Sequence, residues 1–173
     1  RVTTYSDAAW TTAVDSGVVA LSTAQAISLT GAVEESPTFC TGTSGVTSSS
    51  CAGATGSTVN FGTFSASSAT TGTSQIGVGT NATSGYSITI NGATLTSGGN
   101  TITALASQTA SSPGTEQFGT NLVANTTPSV GSDPQGSGTA TPTANYGTAD
   151  QFRFVTGDSI ASKNSSDAFR LFT

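Results

Sequence analysis

Residues 86–90, Tyr-Ser-Ile-Thr-Ile, alternate large apolar side chains with small hydroxyl-bearing ones, and a strict period of two fits a pleated strand that buries one face. Tyr86, Ile88 and Ile90 share one face, and Ser87 and Thr89 the other. The same period recurs in shorter runs: Ile27, Leu29, Gly31 and Val33; Val59 and Phe61; Ile76 and Val78; Ile102 to Leu105; Phe118, Thr120, Leu122 and Ala124; Phe152 and Phe154; Phe169 and Leu171. No window carries a 3.6-residue apolar period. Thr, Ser, Gly and Val dominate where a helical protein would use Leu, Glu, Lys and Met. Eight or nine short strands joined by turn-rich segments predict an all-β chain, a single-domain β-sandwich with long Gly/Ser/Thr-rich loops. Jelly-roll and immunoglobulin-like topologies both satisfy this pattern.

Asn91-Gly92 directly follows the clearest strand, and this dipeptide suits the positive backbone angles of a tight hairpin. Residues 93–95 are therefore expected to fold back on 86–90. The strand at 27–33 is expected to end near Pro37. Residues 125–150 form a long stretch rich in Pro, Gly, Ser and Thr, either a functional protrusion or a covering flap. Residues 1–25 scatter Tyr5, Trp10, Val14, Val18, Val19 and Leu21 among polar positions without a turn returning them to the body. They read as an N-terminal arm, and 26–173 as the sandwich body.

Only 8% of the residues are charged and the net charge is −5, so solubility rests on hydroxyl groups, Ser and Thr filling about a third of the chain. Four cations, Arg1, Arg153, Lys163 and Arg170, are too few for a nucleic-acid surface. No apolar run approaches the ~20 residues of a membrane-spanning helix. The chain opens on Arg1 without an initiator Met or signal peptide, as a processed or trimmed chain would.

Histidine is absent, which removes the commonest general base and the commonest metal ligand together. Glu34 and Glu35 are adjacent, so on a strand they face opposite ways and cannot act as a carboxylate pair. No enzyme and no cofactor is expected. Calcium is the one metal considered, through the loop residues Asp133, Asp150, Asp158 and Asp167, which ordinary turn capping explains better. Cys40 and Cys51 bracket a polar stretch that a disulfide would close, the other possibility being two free thiols. A disulfide implies export to an oxidising compartment. Three Asn-X-Ser/Thr sequons, at Asn81, Asn125 and Asn164, are candidate glycosylation sites, though eight Asn in so hydroxyl-rich a chain yield about that many by composition alone.

Four stretches, GAVEESPTFC from Gly31, TNATSGYSITINGATLTSGGNTITAL from Thr80, PGTEQFGTNLVANTTPSVG from Pro113 and NYGTADQFRFVTGDSIAS from Asn145, resemble exported β proteins of ultrasmall bacteria of the candidate phyla radiation (Patescibacteria and Saccharibacteria). At the level of architecture the chain is similar to jelly-roll filament proteins of the TasA and archaeal bundling-pilus type. That resemblance implies a subunit whose sheet is completed by a strand from its neighbour. Related chains run on past a segment like 168–173, so Thr173 is expected to be either a trimmed end or the end of a strand with an unpaired edge beside it.

These readings predict a structural subunit of an extracellular, cell-surface filament that self-associates head to tail by donor-strand complementation, Val14, Val18, Val19 and Leu21 forming the donated strand. The alternative is a monomeric adhesin or glycan-binding module. Sugar binding would draw on exposed aromatic platforms, of which Tyr5, Trp10 and Tyr146 are the candidates.

Overall fold

The computed structural model describes residues 2–18 and 30–173. The described residues contain no helix and carry twelve short strands, so the fold is all-β. In order they are β1 Val2–Tyr5, β2 Ala13–Gly17, β3 Thr38–Gly42, β4 Gln75–Thr80, β5 Tyr86–Thr89, β6 Thr96–Ser97, β7 Asn100–Thr101, β8 Asn125–Thr126, β9 Ser129–Val130, β10 Thr141–Pro142, β11 Ser159–Lys163 and β12 Asp167–Phe172. Two compact units result, Arg1–Val33 and Glu34–Thr173. The boundary lies at Val33 where the sequence placed it at residue 25.

In the larger unit, two three-stranded antiparallel sheets, β10-β11-β5 and β12-β4-β3, share one core. Val78 of β4 and Phe172 of β12 meet Ile88 of β5 and Ile160 and Ala161 of β11 there, with Leu122, Ala140 and Tyr146 from the connections. Phe172 and Tyr146 are fully buried, and each side chain removed from water in this way contributes about 2–3 kcal/mol. The remaining pairs, β6-β7 and β8-β9, are two-residue ribbons. The sheets are smaller than an eight- or nine-strand sandwich, because several alternating runs do not become strands. Residues 102–105, 118–124 and 152–154 form no ladder: they meet through the isolated bridges Ala104 with Phe118 and Thr120 with Arg153, the bond from Phe154 N to Leu105 O, and the Phe118–Phe154 ring contact. Residues 57–64 and 30–33 form no strand, and Ile27 and Leu29 lie outside the described residues.

Central strand β4 carries two buried glycines for a packing reason. A Cβ on Gly77 would sit 2.6 Å from Phe169, 2.8 Å from the Cys40 sulfur and 2.9 Å from Val46, so only a bare backbone lets the disulfide and these side chains close over the sheet. The Cys40–Cys51 disulfide is formed. With the cysteines 11 residues apart, this closure stabilises the fold by about 3 kcal/mol in the chain-entropy account.

The hairpin expected at Asn91-Gly92 does not form. Gly92 has positive φ, but residues 91–95 are not in a strand, and β5 pairs instead with β11, Lys163 opposite Tyr86 and Ser159 opposite Thr89. Ile90 continues that pairing, its N–H donating to Asp158 and its carbonyl accepting from Gly157. A partner that buries Ile160 and Ala161 outcompetes a local return strand offering only Ala93 and Leu95.

Of the two readings of residues 125–150, the covering flap is the one observed. Ala140 and Tyr146 sit in the core, and the flap docks by main-chain bonds from Thr143 N to Ile160 O and from Leu122 N to Tyr146 O. It also covers the outer side of β12: Gln135 and Leu171 exchange both hydrogen bonds, at 2.9 and 2.8 Å, and Gly138 N donates to Phe169 O. The unpaired edge expected beside the last strand is therefore closed by the chain's own flap.

Candidate functional site

Among the described residues, β3 and β5 each keep one side without a strand partner. β3 pairs only with β4, and β5 only with β11, so the other side of each presents N–H and C=O groups without a strand partner. A groove of about 440 Å³ runs between them, lined by Glu35, Pro37, Thr38 and Phe39 on one side and by residues of 84–89 on the other, with Val78 and Ala82 at its floor. Val78 and Ile88 are buried there, whereas Phe39 is 61% exposed. An open edge over an apolar floor with an exposed aromatic at the rim is a surface suited to an added strand. The sequence reading passed over Phe39 because it ended the strand at Pro37. The signal was an aromatic one residue before the disulfide, where β3 is tied to the sheet.

Among the described residues of the N-terminal unit, β1 pairs antiparallel with β2, with a register shift at Tyr5. Asp7 holds the turn between β1 and β2. Its carboxylate accepts the N–H groups of Thr11 and Thr12 at 2.9 and 2.6 Å, and Thr11's bond leads the causes that hold its pKa at about 2. Trp10 takes positive φ and lies 5.7 Å from Tyr5, ring centre to ring centre. Val14 lies in β2 and Val18 just beyond it, both strongly exposed. Val19 and Leu21 lie outside the described residues.

The loop carboxylates are occupied in holding the body together. Asp150 accepts Thr126 N, Thr126 Oγ1 and Thr127 N at 2.7 to 2.8 Å; these bonds, Thr127's first, hold its pKa below 3.8. Asp158 pairs with Arg153 Nε at 2.8 Å and accepts the Tyr146 hydroxyl at 2.9 Å, and the guanidinium is the main reason its pKa is lowered. Asp133 accepts Ala124 N. Asp167 is buried and accepts Thr139 N, Thr139 Oγ1, Ala140 N and the Tyr86 hydroxyl. No three carboxylate or thiol side chains gather in a metal-binding cluster among the described residues, and the four calcium candidates each serve a different turn or strand end.

The sequons divide. Asn81 is exposed, its side chain joining Ser36 N and Glu34 O, and Asn164 is exposed. Asn125 is buried, and its Nδ2 donates to Asn121 Oδ1, Val123 O and Val130 O. A glycan on that nitrogen is incompatible with this packing, so Asn125 is removed from the candidates. Tyr146, one of three aromatic platforms considered for sugar, is fully buried, leaving Tyr5 and Trp10 in the N-terminal hairpin. No helix among the described residues is long and apolar enough to cross a membrane.

No family model, curated protein or solved structure matches the chain.

Proposed function

We propose that the chain is a structural subunit of an extracellular filament, joined head to tail when an edge of one copy receives a strand from the next. The observation that carries this reading is the groove between the open edges of β3 and β5, which combines free backbone groups with an apolar floor. Val14 and Val18 supply a complementary face, since residues four apart on an extended segment point the same way and both are exposed. A non-closing contact of this kind builds a fibre and not a ring. The disulfide fits an oxidising compartment, and hence the cell surface. The saturated loop carboxylates leave little for an enzymatic reading to use. The adhesin reading has less support, because burial of Tyr146 leaves only Tyr5 and Trp10 of the three aromatic residues considered as sugar platforms.

Electron microscopy and sedimentation of the purified chain test this proposal. Fibres are expected from the unaltered protein, and they should be lost in Phe39→Lys, which places a charge on the groove rim, and on deletion of residues 2–18. Isolated particles at all concentrations, or fibres unaffected by both changes, would remove the donor-strand reading.

A further inference from the structure

Asn91 is the only asparagine in the chain that is followed by glycine. The fold leaves this pair exposed and outside any strand, which opens a second chemistry of the same dipeptide. The main-chain nitrogen after an asparagine can close a five-membered ring on the side-chain carboxamide carbon. A side chain on the following residue obstructs that closure, and glycine carries none.

Little holds the reacting groups in place. Among the described residues the Asn91 carboxamide makes one hydrogen bond, from Nδ2 to Thr89 Oγ1 at 3.4 Å, at the outer limit for such a bond. A Cβ on Gly92 would meet nothing within 4 Å. The restraint falls on the nucleophile, because Gly92 N donates to Thr156 Oγ1 at 3.1 Å, and this bond must break before the nitrogen can turn to Asn91 Cγ. The other asparagines are less favourably placed. The Asn125 amide is buried and fully bonded, the Asn81 amide is engaged with Ser36 N and Glu34 O, and exposed Asn164 is followed by Ser165.

We propose that Asn91-Gly92 is a site of spontaneous backbone modification, at which Asn91 converts through a succinimide to isoaspartate and aspartate at a rate restrained by the Thr156 hydroxyl. Gly92 N gives up its proton and bonds to Asn91 Cγ, the Cγ–Nδ2 bond breaks, and Nδ2 leaves with that proton as ammonia. Water then opens the ring. Addition at Cγ breaks the new bond to Gly92 N and leaves aspartate. Addition at the main-chain carbonyl carbon of residue 91 breaks the original peptide bond and leaves isoaspartate, the chain now running through Cβ and Cγ. Either product adds a negative charge to a chain of net charge −5. Isoaspartate also lengthens the backbone by one atom just past Ile90, whose N–H and carbonyl bond Asp158 O and Gly157 N. None of this involves the strand-edge groove, so the modification and fibre formation are tested separately.

The experiment incubates the folded full chain in oxygen-labelled water at mildly alkaline pH and maps its peptides by mass spectrometry, with fragmentation that separates isoaspartate from aspartate. Position 91 should convert before any other asparagine, to both products, each carrying one solvent oxygen. Asn91→Gln should abolish conversion there, since its ring would have six members. Thr156→Val should speed conversion of the folded chain about fivefold, the equivalent of one ordinary hydrogen bond. Thr156→Ser, which keeps the hydroxyl, should hold the parent rate, and in urea all three chains should react alike. The proposal is overturned if Asn81 or Asn164 converts as fast as Asn91, or if aspartate forms without isoaspartate. It is equally overturned if folded Thr156→Val reacts at the parent rate.

Discussion

Tyr86 in β5 donates its hydroxyl to Asp167 Oδ2 in β12 at 3.0 Å, across the two three-stranded sheets and 81 residues of sequence. Asp167 also caps the flap through Thr139 N and Ala140 N, at 2.7 and 3.1 Å, so one carboxylate ties both sheets to the segment that covers them. Burial raises the Tyr86 phenol well above its ordinary value, and the Asp167 charge adds to that.

Acid should therefore loosen the body through a small set of groups. Burial pushes the Asp167 carboxyl up, but the bonds from Thr139 N, Ala140 N and the Tyr86 hydroxyl outweigh it and hold the pKa below 3.8. Asp150 and Asp158 are lowered too. Below about pH 5 the unfolded chain then binds more protons than the native one, so stability falls with pH, through 3.8 and on toward the native values, and is fully present above that range. Urea midpoints should be level from pH 7 to about 5 and drop below pH 4. Asp167→Asn should cost about 2 kcal/mol at pH 7 and flatten part of the acid decline. An unchanged acid profile in that variant would show that Asp167 is not among the groups responsible.

Gly77→Ala probes the contact between β4 and the disulfide. The new methyl would meet Phe169, Cys40 and Val46 inside 3.0 Å, and overpacking of this kind costs about 1–3 kcal/mol. A urea midpoint equal to the parent's would mean that Phe169 swings aside at no cost.

Asn125→Ala probes the polar centre of the flap. Asn121 and Asn125 exchange amide bonds at 2.6 and 2.8 Å, and Asn125 Oδ1 also accepts Asp150 N. Removing the amide strands the Val123 and Val130 carbonyls and Asp150 N, at an expected cost of about 2–3 kcal/mol. Amide exchange should accelerate at Asp150 before it does in β4.

What the sequence made legible was the class and the apolar faces. Ile76, Val78, Ile88 and Leu171 all lie in strands as their alternation predicts. Partners were not legible, because a period of two tells which side of a strand is buried and nothing about which strand lies beside it. Thus the 86–90 run was recognised and then given to Asn91-Gly92, when its partner is β11, whose Ser-Ile-Ala-Ser-Lys has a weak pattern. The flap was legible only as an alternative between two readings, since Ala140 and Tyr146 are isolated apolar positions in a polar stretch. The groove at Phe39 was hidden for the same reason: open edges are a property of strand order.

Strand order also bears on how such a chain reaches its folded state. β4, complete by residue 80, finds one neighbour in β12 at 167–172, and β5 finds its neighbour in β11 at 159–163. A chain that appears N-terminus first therefore holds neither three-stranded sheet until nearly all of the larger unit is available. Closing loops of this length before any reward is slow, so the sheets of the larger unit are its last contacts to form and not its first.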